Sequence, residues 1–313
     1  ASGISRSFWT TDIYETTNGN EVTMSKIAIL TDSSCDIPQE MAEKYGIDIM
    51  SFHILLDDVD YVERESCTNT EFYDKMRLSK GVPSTAAITP IQFCEKYCQY
   101  VDEGYTDVIH VPINKSGSST YNNALMAQGM LREERPEHHM KIHLLDPHTY
   151  SMVFGWYLCE MARKLKNGAE ISHVIQEFEK QMNCMEIILG PYSLKQMKKS
   201  GRISAAAAVM GELMGVRPII TLIDGKTKVE SKVRGDDKVV PAMIELCKKR
   251  ADGVENFDYM IGHTNIKQAE DLEKACRKAF GKAPLVVFEL GGVVSANTGP
   301  DTVALVYTGH PRG

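Results

Sequence analysis

The sequence predicts an α/β fold of two α/β domains, the first with a largely parallel sheet and the second with a mixed sheet. In the first half, short apolar runs alternate with helical segments of about 10–15 residues, which is typical of βαβ units. In the second half, a hairpin predicted around Asp224 and Gly225 adds antiparallel strands. Polar loops also fall where ligands bind in such sheets, at the carboxyl ends of strands.

The first domain is predicted over residues 24–170. Residues 1–23 are polar and show no period, so we interpret them as a leader or extension outside the fold. Apolar runs predict strands at 27–30, 47–55, 108–111 and 141–145. Helical spacing predicts helices at 39–45, 71–78, 91–103, from 121 to beyond 130, and 150–166. Asp36 suits the N-cap of the first helix, with Pro38 in its first turn.

The second domain is predicted over residues 171–313. Its helices are predicted at 172–182, 192–203, 204–213, 239–252 and 268–280. Its strands are predicted at 185–189, 217–222, 227–233, 259–263, 285–290 and 303–307. Residues 291–300 contain several glycines and are interpreted as a loop.

Composition excludes several classes of protein. The formal net charge of −7 argues against a nucleic-acid partner, which needs a basic face. No apolar run approaches the ~20 residues that span a bilayer. The eight cysteines form no CxxC pair, and Cys94 and Cys98 are at most half of a metal site, so we predict free thiols, no metal and a cytoplasmic location.

Three loops rich in Ser, Thr and Asp, at 32–36, 84–89 and 116–120, point to a binding site. The third loop opens a helix, so its hydroxyls and backbone N–H groups lie at the positive end of the helix dipole, where anions bind. Short hydroxyl side chains also cap helices without any ligand. Three loops of the same character nevertheless favour one shared polar site over three separate caps.

From residue 24 to 309 the chain resembles the DegV family of bacterial fatty-acid-binding proteins. The resemblance rests on landmarks that occur in the family's order: 31–38 (TDSSCDIP), Thr85 with Pro90 and Phe93, 117–121 (GSSTY), Leu145-Asp146, 201–204 (GRIS) with Pro218, and Thr298-Gly299-Pro300. The resemblance implies a protein that holds one long-chain fatty acid between its domains, with the acyl chain in an apolar tunnel of the second domain. It also implies a carrier without cofactor or catalytic group, which presents the fatty acid to a separate ATP-dependent kinase subunit that makes acyl-phosphate for phospholipid metabolism.

Position by position, the resemblance assigns Thr85 and Ser118 to the fatty-acid carboxylate and Arg202 to docking with the kinase. Asn297 stands where the family has a histidine; its amide can donate to a carboxylate but cannot carry charge. The sequence also departs from the family at Ala86-Ala87-Ile88, which replaces Ser-Gln-Pro, and at Ser119 and Asp301, which replace glycines.

Further residues are candidates for the lining of the site: Ser84, Ser119, Asp32, Ser33 and His263. The expected tunnel wall is a set of small and apolar residues of the second domain: Ala205, Ala208, Val209, Leu213, Met214, Ile219 and Ile261.

Two other functions stay open at this point. A small-molecule hydrolase on the same scaffold would use Ser118 as nucleophile, and His263 is the only general base that the sequence suggests. A module for a sugar or a phosphate would fit the polar loops alone, but it leaves the small-residue segment 204–213 unexplained.

Overall fold

The computed structural model describes residues 14–18, 21–202 and 215–312. In these residues the strands are β1 (Tyr14–Asn18), β2 (Glu21–Ser25), β3 (Ile27–Asp32), β4 (Ile47–Met50), β5 (His53–Leu56), β6 (Val59–Val62), β7 (Ser84–Ala86), β8 (Asp107–Val111), β9 (Lys141–Leu144), β10 (Met185–Pro191), β11 (Val216–Ile223), β12 (Lys226–Arg234), β13 (Tyr259–His263), β14 (Val287–Glu289) and β15 (Thr302–Thr308). The helices are α1 (Gln39–Tyr45), α2 (Asn69–Leu78), α3 (Pro90–Asp102), α4 (Thr120–Glu134), α5 (Met152–Lys166), α6 (Ile171–Met182), α7 (Lys195–Ser200), α8 (Val239–Arg250), α9 (Ile266–Phe280) and α10 (Gly292–Thr298).

The predicted fold class is confirmed. Four parallel strands form one sheet in the order β4-β3-β8-β9, and six strands form a mixed sheet in the order β12-β11-β10-β15-β13-β14. All six residues of β3 are buried, as expected for a central strand covered on both faces. In the mixed sheet only β13 and β14 run parallel, and β1 pairs with β2 in a separate hairpin.

The predicted hairpin is formed by β11 and β12, which are joined by Asp224 and Gly225. Both residues have positive φ, 53° and 72°, which matches the type I′ turn that favours this residue pair. The tip of the hairpin lies against Asn114 and Ser116 of the loop before α4, and it thereby joins the two halves of the chain.

The prediction of one strand over 47–55 is wrong. The chain forms β4 in the parallel sheet and then β5 in a separate antiparallel sheet of order β6-β5-β7. Phe52 is buried at the bend between them. The predicted loop at 84–89 begins with β7, which pairs with β5 and holds Thr85 opposite Ile54.

Three apolar clusters give the protein its layers. Alternate residues of β3 face opposite ways: Ala28 and Leu30 pack against α2, α3 and α4, whereas Ile27 and Ile29 pack against α1, α5 and α6. The cluster that contains Ile27 and Ile29 continues onto one face of the six-stranded sheet, and α8 and α9 cover the other face. The helices α1, α5 and α6 therefore lie between the two large sheets.

Several local predictions need correction. Asp36 is not an N-cap: it lies in the left-handed region after a short 3₁₀ turn, and Pro38 precedes α1. The helix predicted at 192–203 spans only Lys195–Ser200, with Gly201 at its end. The predicted loop at 291–300 contains α10, whose first turn is capped by Glu63 from 230 positions earlier in the chain. The helix predicted at 204–213 lies outside the described residues.

Candidate functional site

A cavity of about 1120 Å³, counted with its open mouth, lies between the two large sheets. Both halves of the chain supply its wall, through β7, the start of α4 and α5, the strands β10, β11 and β15, and α10. The described wall is more apolar than polar. Its polar residues are Thr85, Ser118, Ser119, Tyr150, Ser151, Arg202, Asn297 and Thr298.

The polar residues gather where α4 begins. Ser118 is half-buried, and its hydroxyl lies 2.8 Å from the Thr120 hydroxyl and accepts the Thr120 backbone N–H at 3.2 Å. When Thr120 donates to it, Ser118 keeps its own proton for a ligand. Ser119 is exposed, and its side chain makes no capping hydrogen bond with α4.

Asn297 and Thr298 bring α10 to the same cavity. The Asn297 amide donates to the Val293 carbonyl at 2.9 Å, which leaves its second N–H and its oxygen for other partners. The Thr298 hydroxyl is buried, and the described residues offer it no hydrogen-bond partner.

Position 117 requires glycine, because the side chain of Tyr150 packs directly against its backbone. A Cβ at this position would collide with the ring and hydroxyl of Tyr150, whose Cε1 and Cζ would lie 2.8 and 2.9 Å away. Burial raises the pKa of Tyr150, and a hydrogen bond with Ser116 opposes that rise, so the phenol is neutral at physiological pH. Tyr150 thus closes one side of the cavity without adding charge.

Arg202 is exposed and is the only cation among the described residues of the cavity wall. It follows Gly201, which ends α7 in the left-handed region, and its guanidinium donates to the Ser200 carbonyl at 3.1 Å. Gly225 at the hairpin tip lines the cavity as well.

The apolar wall comes mainly from alternate residues of the six-stranded sheet. Ile187, Leu189, Ala304 and Val306 face the cavity, whereas Ile188 and its neighbours on the other face pack against α8 and α9. The predicted wall residues Ile219 and Ile261 belong to that other face, so their assignment to the tunnel is wrong. Ala205, Ala208, Val209, Leu213 and Met214 lie outside the described residues.

The structure brings Thr85, Ser118, Ser119, Asn297 and Arg202 to the cavity wall. It places the remaining four predicted residues elsewhere. Ser84 is exposed, and Asp32 and Ser33 are buried behind the wall. His263 is buried at the end of β13; burial lowers its pKa, and its Nδ1 finds no partner among the described residues.

The groups behind the wall were the least predictable part of the site. Asp32 accepts the backbone N–H of Ile113 at 2.7 Å, Asp36 accepts the Ser151 hydroxyl, and Glu63 accepts the N–H of Val293 at 2.8 Å. Ile113, Ser151 and Val293 all line the cavity. The pattern TDSSCD drew attention to the two aspartates, but nothing in the local sequence marks Glu63.

The described wall contains few side chains of the kinds that catalyse reactions. It contains no carboxylate or imidazole, and the Ser118 hydroxyl contacts another hydroxyl instead of a general base. Among the described residues no group of three or more His, Cys, Asp or Glu side chains is placed to hold a metal. The same part of the chain contains no helix long and apolar enough to cross a bilayer.

Comparison with known proteins gives a consistent result. Residues 26–309 match the family model described as "Uncharacterised protein, DegV family". A DegV domain-containing protein of Clostridium perfringens is 28% identical over 293 residues, covering 91% of this chain and 99% of that one. A DegV domain-containing protein of Staphylococcus aureus is 28% identical over 291 residues, covering 91% and 98%.

Solved structures share the fold. A fatty-acid-binding DegV family protein from Streptococcus agalactiae superposes with a TM-score of 0.79 at 27% identity, covering 91% of this chain and 99% of its own. A stearic-acid-binding protein from Eubacterium ventriosum gives a TM-score of 0.82 at 22% identity, covering 90% and 98%. At that lower identity the likeness speaks for the fold alone.

Proposed function

Because this chain belongs to the DegV family, we propose that it binds one long-chain fatty acid in the cavity between its two large sheets. In this proposal Thr85, Ser118 and Asn297 hold the carboxylate. The acyl chain runs along the six-stranded sheet, and the halves 24–170 and 171–313 act as the two domains that enclose it.

The observation that carries the proposal is one cavity whose wall combines neutral polar side chains with a larger apolar surface. Thr85, Ser118 and Asn297 supply neutral hydrogen-bond donors to this wall, and the helix α4, which begins beside Ser118, adds partial positive charge. The strands β10, β11 and β15 supply Ile187, Leu189, Leu222 and Val306 to the apolar surface. An amphiphile with a small anionic head fits this combination.

The energetics favour a long tail. Burial of each CH₂ is worth about 0.8 kcal/mol, so a long acyl chain contributes on the order of 10 kcal/mol before the costs of ordering it. Each neutral hydrogen bond to the head adds about 1 kcal/mol net. The tail therefore supplies most of the affinity, and the polar side chains fix the direction in which the ligand lies.

The proposal extends to a partner. We propose that the bound fatty acid is presented to a separate ATP-dependent kinase subunit in the cytoplasm, and that Arg202 contributes to docking. Support comes from the exposure of Arg202 beside the cavity and from the eight free cysteines, which suit a reducing compartment. Charge removal, Arg202→Ala, is expected to lower acyl-phosphate formation by added kinase subunit by a larger factor than it lowers palmitate affinity, because the residue also lines the cavity.

The test of binding is native mass spectrometry of the purified protein, followed by lipid extraction. A bound mass equal to that of a long-chain fatty acid is the expected result. A protein without bound lipid that also fails to take up added palmitate would contradict the proposal.

The test of the site compares Thr85→Ala and Ser118→Ala with Ser84→Ala, which removes an exposed hydroxyl from the neighbouring position on β7. Loss of one hydrogen bond of about 1 kcal/mol weakens palmitate binding about fivefold. We expect that loss for the first two variants and wild-type affinity for the third. Wild-type affinity in all three would show that the carboxylate lies elsewhere.

A further inference from the structure

Glu63 connects two parts of the chain that are far apart in sequence. Its side chain is 5% exposed, and Oε1 accepts the backbone N–H of Val293 at 2.8 Å in the first turn of α10. Oε2 accepts the Ser33 hydroxyl, which in turn accepts the backbone N–H of Phe52 at 3.0 Å. One carboxylate thus holds the start of α10 against the end of β3 and the bend before β5.

The backbone of α10 approaches this carboxylate closely. A Cβ at Gly291 would lie 2.7 Å from Glu63 Oε1 and would collide with Asp36, and a Cβ at Gly292 would lie 2.6 Å from Ile54 Cδ1. Glycine at both positions therefore lets the helix begin directly on the two acids. No side chain of α10 itself caps its first turn.

The same short helix supplies much of the cavity wall. Val293, Val294, Asn297 and Thr298 all belong to α10 and line the cavity. Seven residues form about two turns, too few for a helix to be stable by itself. The position of Asn297 therefore depends on what holds the first turn, three to four residues earlier.

We propose that Glu63 is a positioning residue of the binding site: by accepting the N–H groups at the start of α10, it places Asn297 and Thr298 at the cavity. This inference rests on the proposed function, since it supposes that Asn297 meets the ligand. Glu63 itself does not line the cavity, so it acts only through the helix.

The surroundings of Glu63 decide its charge. Asp36 faces it across Gly291, Arg64 is the nearby cation, and the Tyr73 hydroxyl lies close by, where it donates to the Leu290 carbonyl. Burial raises the pKa of both Glu63 and Asp36, and the charge of each opposes ionisation of the other. The start of α10, with its positive dipole end, favours one negative charge on this pair of acids.

The experiment compares Glu63→Ala and Glu63→Gln with a matched control. Glu186→Ala also removes a buried acid, but Glu186 pairs with Arg250 and Tyr307 on the face of the sheet turned away from the cavity. Three quantities are measured for each protein: the Kd for palmitate, the hydrogen-exchange rate of residues 292–298, and the unfolding temperature.

For Glu63→Ala we expect a Kd raised about tenfold and faster exchange in 292–298, since buried N–H groups lose their acceptor. Glu63→Gln keeps one acceptor oxygen and should recover most of the affinity. Glu186→Ala should lower the unfolding temperature and leave both the Kd and the exchange of 292–298 unchanged. That contrast separates positioning from general stability.

Two results would overturn the inference: a wild-type Kd in Glu63→Ala, or an equal loss of affinity in Glu186→Ala. Failure of the proposed function is distinguishable, because in that case the wild-type protein itself takes up no palmitate. Hydrogen exchange of 292–298 then still decides whether Glu63 holds α10, since it needs no ligand.

Discussion

The side-chain amide of Asn297 donates to the backbone carbonyl of Val293 at 2.9 Å, one helical turn earlier in the same short helix. This bond fixes the side chain against α10, at a residue that lines the cavity. The side chain of Asn297 is therefore held in place, and it is neutral at every physiological pH.

The neutral side chains proposed to hold the carboxylate predict a palmitate affinity that varies little with pH. Between pH 6 and 8 a fatty-acid carboxylate stays ionised and Asn297 does not titrate, so wild-type affinity for palmitate should change little. In Asn297→His the imidazole, with an ordinary pKa near 6.5, gains charge as the pH falls. We expect binding about fivefold tighter at pH 6 than at pH 8, from about 1 kcal/mol of ion pairing.

Titration calorimetry at pH 6, 7 and 8 measures this difference. Asn297→Gln is the matched control, because it changes the shape of the side chain but adds no titrating group. A wild-type profile as steep as that of Asn297→His would show that another titrating group governs binding.

The contact between Gly117 and Tyr150 gives a second prediction. In Gly117→Ala the new methyl group collides with the phenol, so either Tyr150 or the loop that carries Ser118 has to move. We expect palmitate affinity to fall about tenfold, as a few hydrogen bonds and contacts are lost. Equilibrium titration with palmitate checks the change.

The matched control is Gly129→Ala, within α4. A Cβ there meets no atom within 4 Å, and alanine stabilises a helix interior relative to glycine by up to about 1 kcal/mol. It should raise the free energy of unfolding without changing the Kd. Equal affinities in the two variants would mean that the packing of Gly117 is irrelevant to binding.

Structural features that depend on neighbouring residues are predictable from the sequence, and features that depend on residues far apart in the chain are not. Features set by neighbouring residues were predictable: β3 from its apolar run, and the turn at Asp224 and Gly225 from the positive φ that this pair tolerates. The polar loop that carries Ser118 was also predictable, because it follows the carboxyl end of the parallel strand β8, whereas Thr85 lies in β7 of the antiparallel sheet.

Features set by distant residues were not predictable. Locally the sequence of α10 is typical of a glycine-rich loop. The acceptor at its first turn is Glu63, which lies far away in the chain. Ile219 and Ile261 were wrongly included in the expected tunnel wall, because period-two alternation shows only that a strand has two faces. Which face meets the cavity depends on how the two sheets pack.

Ala304 of β15 faces the cavity, so a larger side chain there should change which fatty-acid chain lengths the protein prefers. Ala304 is buried in the wall, where a larger side chain takes space from the ligand. In the wild type, the four additional CH₂ groups of palmitate over laurate are worth up to about 3 kcal/mol. In Ala304→Leu we expect this difference to shrink by at least about 1 kcal/mol, because the far end of a long chain no longer fits.

The ratio of the two dissociation constants, measured on each protein, is the test. Ile188→Leu is the control, since Ile188 packs on the other face of the same sheet and the exchange keeps the side-chain volume. Its palmitate-to-laurate ratio should equal that of the wild type. An unchanged ratio in Ala304→Leu would place the acyl chain away from β15.

The buried carboxyl group of Asp32 makes the stability of the protein depend on pH. Asp32 is buried and accepts hydrogen bonds from Ser34 and Ile113. Burial raises its pKa from 3.8 to about 7, and these hydrogen bonds oppose the rise without cancelling it. The folded protein therefore binds this proton more tightly than the unfolded chain does.

The sign of the pH dependence follows from that difference. The stabilisation from Asp32 is fully present below the unfolded pKa near 4, and it is lost as the pH rises towards 7. Its slope is at most about 1.4 kcal/mol per pH unit. Glu63 and Asp36 act in the same direction, because burial raises their pKa as well.

Urea denaturation at pH 5 and pH 7 measures this dependence. We expect the wild-type free energy of unfolding to fall between the two pH values, and to fall less in Asp32→Asn, where the side chain cannot titrate. Asp237→Asn is the control: Asp237 is exposed and Lys238 lowers its pKa, so its removal cannot flatten the slope. If Asp32→Asn keeps the full wild-type slope, Asp32 is ionised throughout this range, and the buried acids behind the cavity share their protons differently from what their burial predicts.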